Sequence, residues 1–367
     1  MLNAIRGCGS VCRRVISLNK VERVYRALNI EEADKVPKGE LGIHDELVSA
    51  LLREPVGNSF EAHVRVRKLL NMDLVNVGLD GGPKVETIGT TEEGYPIYRN
   101  WLGAEWVESG KTRRYLKYAL YTPEDMEQFY MPDISLFNTS SIRKWVEQTD
   151  FCVFAQVGGV FDSIYPHMGF TNYVKALYLY PNALRHVIEE VYRFNLEVIK
   201  VFAEAGAHVI LVGDDLAYDN GPFIPPSLLR KYVLPYLAGE AEAAHKRNLP
   251  VMLHSDGNIT LLMEDIVKAG FDGLHSLQPS AGVNIVEIKK RWGDMLCLMG
   301  NVDLDYLLPF GKPEDVEAGV KRLMLEVAPG GGYILSTTNV LTRYVPPENA
   351  LAMYMAAEKY GRYPIKT

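Results

Sequence analysis

Short β-favouring segments alternate with helix-like stretches along almost the whole 367-residue chain. The eight segments are VPKGELGI from Val36, MDLVNVGL from Met72, FCVFAQVG from Phe151, HVILVGDD from His208, PVMLHSDG from Pro250, FDGLHSL from Phe271, MLCLMGNV from Met295 and GYILSTTN from Gly332. This alternation predicts a parallel sheet covered by helices, and eight strands predict a closed (β/α)₈ TIM barrel. An open, doubly wound α/β sheet is the alternative, but no G-x-G-x-x-G follows an early strand.

One segment interrupts this alternation. Residues 84–120 are rich in β-branched and aromatic residues and contain Gly94, Gly103 and Gly110. They predict an antiparallel β-hairpin insertion after the second strand, at the end of a barrel where loops build active sites. We expect residues 19–367 to form a single barrel domain. Residues 1–18 carry arginines among short apolar pieces, which predicts an N-terminal extension.

The composition excludes several classes of function. A net charge of −7 without a basic run argues against nucleic-acid binding. No apolar stretch reaches the length of about 18 residues that a membrane span needs. Four cysteines in a chain of this length indicate a reducing compartment, so we expect a cytoplasmic protein.

Polar side chains stand at the end of every predicted strand. In a barrel these ends converge on one face, where carboxylates and imidazoles shift each other's pKa values and form acid–base pairs or metal sites. The residues are Glu40, His44, Asp80, Gln156, Asp214, Asp215, His254, Asp256, His275, Gln278, Asn301, Asp303 and Asn339.

Several of these residues also have a purely structural interpretation. Asp214 and Asp215 are adjacent, so we expect one to face the pocket and the other to form a turn or cap a helix. His275 is as readily a buried core histidine, and Asp303 as readily the N-cap of the following helix. Arg343, just past the last strand, is either a partner for a substrate carboxylate or a surface arginine.

The chain resembles the uroporphyrinogen decarboxylase superfamily, a set of (β/α)₈ barrels that includes the porphyrinogen decarboxylase and cobamide-dependent methyltransferases. The resemblance covers roughly residues 18 to 365. It lies in these motifs: NKVERVYRALNIEEADKVP, GDDLAYDNGPFIPPSLLRKYVLPY, HSDGN, GFDGLHSLQP, MGNVD and APGGGYILSTTNVLTRYVPPENALAMY.

The decarboxylase branch carries an arginine-rich stretch of the R-Q-A-G-R-Y kind after the first strand, and its arginines hold substrate carboxylates. This chain has KGELGIHDEL there, and Glu40 at the mouth would repel a polycarboxylate. The methyltransferase branch binds zinc through His-x-Cys on the fifth strand and a later Cys. At those positions this chain has His254, Asp256 and Asn339.

The resemblance to the methyltransferase branch therefore implies a methyl transfer between a small methyl ether or methylamine and a corrinoid on a partner protein. The implied catalytic residues are Glu40, Asp214, His254 and Asp256. Zinc is the metal implied for His254, Asp256 and Glu40. Substrate contacts are expected from Tyr165, Tyr218, His275, Gln278, Asn339 and Arg343. The alternatives are a decarboxylase or lyase of a small acid or porphyrinogen, and a non-catalytic corrinoid-binding relative. A homodimer is compatible with the fold.

Overall fold

Eight parallel strands form a nearly closed barrel in the computed structural model, which describes residues 17–109 and 112–365. Each strand pairs with its neighbour in the chain, and parallel bridges from Lys38 to Leu335 and from Ile43 to Leu341 bring the last strand back to the first. The (β/α)₈ prediction is confirmed, and each predicted segment contains a strand. The strands are β1 (Gly39–Glu40), β2 (Leu74–Val77), β3 (Cys152–Gly158), β4 (Val209–Gly213), β5 (Val251–Ser255), β6 (Gly273–Ser276), β7 (Cys297–Val302) and β8 (Tyr333–Thr337).

Helices cover the outside of this barrel. The α-helices are Lys20–Leu28, Asp45–Leu52, Phe60–Leu69, Pro123–Glu127, Ser140–Gln148, Tyr165–Met168, Phe170–Leu179, Pro181–Glu204, Pro226–Tyr232, Leu234–His245, Met263–Lys268, Ile285–Trp292, Leu307–Phe310, Pro313–Glu326 and Pro347–Tyr360. Two 3₁₀ helices span Ile134–Leu136 and Thr260–Leu262. In the described part of the chain, none of the helices is both long and apolar enough to cross a membrane.

Strand alternation divides the core in two. Alternate strand residues such as Phe154, Leu211 and Met252 fill the barrel interior, while the residues between them pack against the helices. Because successive strand side chains point to opposite faces, the inward row continues from Met252 to His254 and from Phe154 to Gln156. The interior therefore changes from apolar to polar at the carboxyl ends of the strands.

The predicted insertion after β2 is a four-stranded antiparallel sheet rather than a single hairpin. Its strands are Glu86–Thr90, Pro96–Arg99, Glu105–Ser109 and Thr112–Lys117. The chain that leaves this sheet is fixed to the helix after β3, because the backbone N–H groups of Ala119 and Leu120 donate to the carbonyl oxygen of His167 at 3.0 and 3.1 Å. Two short ribbons, Asp80–Gly81 with Phe137–Asn138 and Ala217–Tyr218 with Gly221–Pro222, complete the strands.

The predicted division into an extension and one domain stays a prediction. Residues 1–16, which form most of the predicted extension, lie outside the described residues.

Candidate active site

A histidine and two aspartates meet at the carboxyl ends of β4 and β5. His254 Nε2 lies 3.8 Å from Asp215 Oδ1 and 3.9 Å from Asp256 Oδ1. The backbone N–H of Asp256 donates to Asp215 Oδ1 at 2.9 Å, which ties the ends of the two strands together. Burial and the nearby charge of Asp256 raise the pKa of Asp215, although His254 acts in the opposite direction. We call these three residues the Asp–His–Asp group.

His275 on β6 fixes the tautomer of His254. The Nδ1 atoms of the two rings are 2.7 Å apart. His275 Nε2 lies 3.2 Å from the carbonyl oxygen of Thr337, which only accepts, so Nε2 carries the hydrogen. Burial and then His254 lower the pKa of His275 well below 6.5, which keeps its ring neutral and leaves its Nδ1 as an acceptor. His254 therefore donates through Nδ1, and its Nε2 faces the two carboxylates.

A residue of β6 and a residue of the loop after β8 hold the carboxylate of Asp256. Ser276 Oγ donates to its Oδ1 at 2.6 Å, and Asn339 Nδ2 donates to its Oδ2 at 2.7 Å. Ser276 and Leu277 both have positive φ angles, 89° and 54°, which are uncommon for residues other than glycine. The side chain of Asn301 donates to the carbonyl oxygen of Leu277 and braces this bend. Strained backbone of this kind is concentrated at functional sites.

Asp214 faces away from the Asp–His–Asp group. It is fully buried, and its Oδ1 accepts the backbone N–H groups of Phe161 and Asp162 at 3.1 and 2.6 Å. Burial raises its pKa to about 8. Gly159 packs against this carboxyl group so closely that a Cβ atom there would lie 2.3 Å from it. Asp214 therefore organises the loop after β3. The residue that reaches His254 is Asp215, although Asp214 was the one predicted to be catalytic.

Glu40 also lies apart from this group, although it was predicted as a metal ligand and catalytic residue. Its buried carboxyl group accepts the backbone N–H of Thr337 at 3.1 Å and the hydroxyl of Tyr354 at 2.6 Å. Tyr354 belongs to the helix Pro347–Tyr360, so Glu40 lies between the barrel and its helical layer. Burial raises its pKa to about 7. The expectation that Glu40 would repel a polycarboxylate at the mouth therefore loses its basis.

An aromatic wall lies beside Asp215. The rings of Tyr165, Phe170 and Tyr218 lie 6.4, 5.8 and 5.6 Å from the ring of Phe223. Burial and then Asp162 raise the pKa of Tyr165 to about 12, so its hydroxyl stays protonated. Two of the predicted substrate-binding residues, Tyr165 and Tyr218, thus share one surface.

A cavity of about 450 Å³ opens on the other side, next to Asp256 and Asn339. Phe310 and Tyr344 form its rim and are 81% and 70% exposed. Gln278 lines the cavity, and its Oε1 accepts the backbone N–H of Gly257 at 3.0 Å. This volume is in the range of small-molecule sites.

The remaining candidates have partners of their own. Arg343 Nη1 bonds Glu46 Oε1 at 2.7 Å, so its charge is already paired. Asp303 Oδ2 accepts the backbone N–H groups of Tyr306 and Leu307, both at 2.9 Å, which is the helix-capping alternative.

The Asp–His–Asp group fits a divalent metal ion. One imidazole nitrogen and two carboxylate oxygens, all within 4.8 Å of one another, match the donors that zinc accepts. Zinc–ligand bonds are about 2.1 Å long, so two ligands of one ion lie at most about 4.2 Å apart. The distances of 3.8 and 3.9 Å from His254 Nε2 are within that limit. The two carboxylates also balance a double positive charge.

Comparison with known proteins identifies the family. The sequence profile of the uroporphyrinogen decarboxylase (URO-D) family matches residues 104–360. This chain belongs to the URO-D family. Uroporphyrinogen decarboxylase from Geobacter sulfurreducens is 29% identical over 182 residues, which cover 50% of this chain and 51% of that protein. The corresponding protein from Geotalea uraniireducens is 29% identical over 179 residues, or 49% of this chain and 50% of that protein. The chain thus spans about half the length of the curated relatives it matches.

A solved structure shares the fold over most of the chain. A methyltransferase from Methanosarcina mazei superposes with a TM-score of 0.70 and covers 93% of this chain and 99% of that one, at 20% identity. At this identity the similarity demonstrates a common barrel architecture.

Proposed function

We propose that this URO-D family member is a methyltransferase that moves a methyl group between a small methyl ether or methylamine and a corrinoid carried by a partner protein. The observation that supports this proposal is the Asp–His–Asp group at the barrel mouth, with His254 Nε2 facing Asp215 and Asp256.

The chemistry of methyl transfer requires such a group. When the bond from the methyl carbon to oxygen or nitrogen breaks, its electron pair stays on the heteroatom, which then needs a proton or a positive charge. We assign the proton-donor role to Asp215, whose pKa is raised by burial. His275 keeps the ring of His254 oriented toward Asp215. A divalent ion held by Asp215, His254 and Asp256 would supply Lewis acidity to the same heteroatom when bound.

The surroundings of the group suit a small substrate. The cavity beside Asp256 has room for a small organic molecule, and the aromatic wall around Phe223 closes the opposite side. The exposed rings of Phe310 and Tyr344 give the mouth an apolar rim. When its carrier is docked on this rim, the corrinoid would supply the cobalt that exchanges the methyl group.

Metal analysis followed by a methyl-transfer assay tests the proposal. The purified chain is expected to retain a divalent ion and, with chemically reduced cob(I)alamin, to consume the reduced form when supplied with a methyl ether or methylamine. His254→Ala and Asp215→Asn should lose both properties. Asp303→Asn is the matched control, because it neutralises another mouth carboxylate that caps a helix. Full methyl transfer by both His254→Ala and Asp215→Asn would refute the proposal.

A second candidate is decarboxylation of a porphyrinogen or another carboxylic acid. Two observations favour it: the curated relatives are named uroporphyrinogen decarboxylase, and Glu40 is turned away from the mouth. Incubation with uroporphyrinogen without any corrinoid separates the two functions. Loss of substrate carboxyl groups that depends on Asp215 and His254, together with no response to cob(I)alamin, would favour the decarboxylase.

A further inference from the structure

A second cavity, of about 530 Å³, opens between β1 and β2 and reaches the helical layer. The segment Leu41–Ile43 after β1 and residues 75–77 of β2 form one side, and the helices Phe60–Leu69 and Ser140–Gln148 form the other. Three strand spacings of about 4.8 Å each separate β2 from β5, which carries His254. We call this space the β1–β2 cavity, and it is separate from the Asp–His–Asp group.

The β1–β2 cavity carries an excess of positive charge. Arg67 and Lys144 line it with one carboxylate, Asp45, and Lys144 Nζ also lies 3.6 Å from Oε1 of Glu61, an exposed side chain outside the lining. Asp45 Oδ1 already bonds His63 Nε2 at 2.9 Å, and His63 Nδ1 faces Arg67 Nη1 at 3.1 Å. His63 therefore lies between Asp45 and Arg67, and the carboxylate of Asp45 makes no direct contact with the guanidinium. The other acid near Arg67 is Glu40, and its carboxyl group is occupied by Thr337 and Tyr354.

Arg67 is a buried cation with unused hydrogen-bonding capacity. It is 3% exposed, and within residues 17–109 and 112–365 no carboxylate oxygen lies within 4.0 Å of its guanidinium. Its Nε has no hydrogen-bond partner among these residues, and Nη1 donates only to His63. A buried charge without a direct partner is costly, and a guanidinium matches the two oxygens of a carboxylate.

The rest of the cavity indicates an organic ligand. Phe60 and Trp145 line it together with aliphatic side chains of β2, and Lys144 Nζ lies 4.0 Å from the centre of the Phe60 ring. Asn76 Oδ1 is a buried acceptor without a partner among the described residues, while its Nδ2 donates to Gln156. The cavity thus offers cationic donors, an acceptor and an aromatic surface.

We propose that the β1–β2 cavity binds a small organic carboxylate, with the carboxylate on Arg67 and Lys144 and the apolar body against Phe60 and Trp145. This site does not depend on the methyltransferase proposal, because it uses none of the residues of the Asp–His–Asp group.

Isothermal titration of the full chain with three probes tests the ligand class. Benzoate carries both the carboxylate and the ring, benzyl alcohol keeps the ring without the charge, and inorganic phosphate keeps an oxyanion without the ring. Benzoate is expected to bind at least about 10-fold more tightly than either, because benzyl alcohol lacks the charge-assisted hydrogen bonds and phosphate lacks the ring that packs on Phe60 and Trp145. Absence of benzoate binding, or phosphate binding of equal strength, would overturn the assignment.

Variants locate the site. Arg67→Met and Lys144→Met are each expected to weaken benzoate binding by about 10- to 100-fold. Lys68→Met is the matched control, because Lys68 is the exposed neighbour of Arg67 and does not line the cavity. Lys144 is only partly buried, so its variant decides the question if Arg67→Met fails to fold. Unchanged benzoate affinity in Lys144→Met, or loss of binding in His254→Ala, would place the ligand elsewhere and overturn the proposal.

Discussion

Replacing Glu40 by Gln tests whether this residue has a structural or a catalytic role. Burial raises the pKa of Glu40 from 4.5 to about 7. A pKa shift of one unit corresponds to about 1.4 kcal/mol. The Glu40 proton is therefore bound about 3 kcal/mol more tightly in the folded chain than in the unfolded chain. Gln keeps one acceptor oxygen for Thr337 or Tyr354 but has no proton to lose.

The direction of the effect follows from proton linkage. The folded chain binds the Glu40 proton more tightly than the unfolded chain does, so this contribution to stability is complete below about pH 4.5. It is lost as the pH rises through the folded pKa of about 7. The free energy of unfolding of the wild type should therefore fall, relative to that of Glu40→Gln, by about 3 kcal/mol between about pH 4.5 and about pH 8.

Urea denaturation of both proteins across this pH range measures the difference, and zinc titration of the same samples measures the site. We expect the pH dependence to change and the zinc affinity to stay the same, because Glu40 contacts Thr337 and Tyr354 rather than His254. Parallel stability curves combined with weaker zinc binding by Glu40→Gln would mean that Glu40 is a metal ligand and would refute this reasoning.

Three further predictions concern the mouth. Asp215→Asn should weaken zinc binding by more than about 100-fold, whereas Asp214→Asn keeps an acceptor for its loop and should leave zinc binding unchanged in equilibrium dialysis. His275→Phe removes the acceptor of His254 Nδ1 and should lower zinc affinity by about 10- to 100-fold, with partial recovery in His275→Gln, again by dialysis. Phe310→Ala and Tyr344→Ala each remove an exposed ring of the rim, so each should change the free energy of unfolding by less than about 0.5 kcal/mol. Together they should raise the KM for the corrinoid in steady-state assays. An unchanged KM would exclude this rim from the partner contact.

The barrel could be predicted because the same strand-and-helix pattern recurs along the chain. Each strand is a short apolar segment between helical patterns, and the polar residues at the strand ends follow directly from the sequence. The position of the insertion was equally visible in residues 84–120. Its four strands were not predicted, although Gly94, Gly103 and Gly110 divide the segment into four β-favouring pieces.

The residues that form the site could be predicted only in part. Alternation along β4 places Gly213 and then Asp215 on the inward row after Leu211, so the same period of two could have selected Asp215 over Asp214. No such argument was available for Glu40, because β1 has two residues and too short a pattern to fix a direction.

The pairing of the two histidine rings could not be predicted from the sequence. It depends on the register of neighbouring strands, which sets His254 beside His275. Spacing along the chain does not specify that register.

The attachment of the insertion has a consequence for the shape of the entrance. Its exit segment holds the carbonyl oxygen of His167, and Tyr165 of the aromatic wall lies on the same four-residue helix. A change in the length or sequence of residues 86–117 would therefore displace one flank of the entrance while the barrel itself remained untouched. The entrance can therefore be reshaped by exchanging an appended sheet, without altering the Asp–His–Asp group.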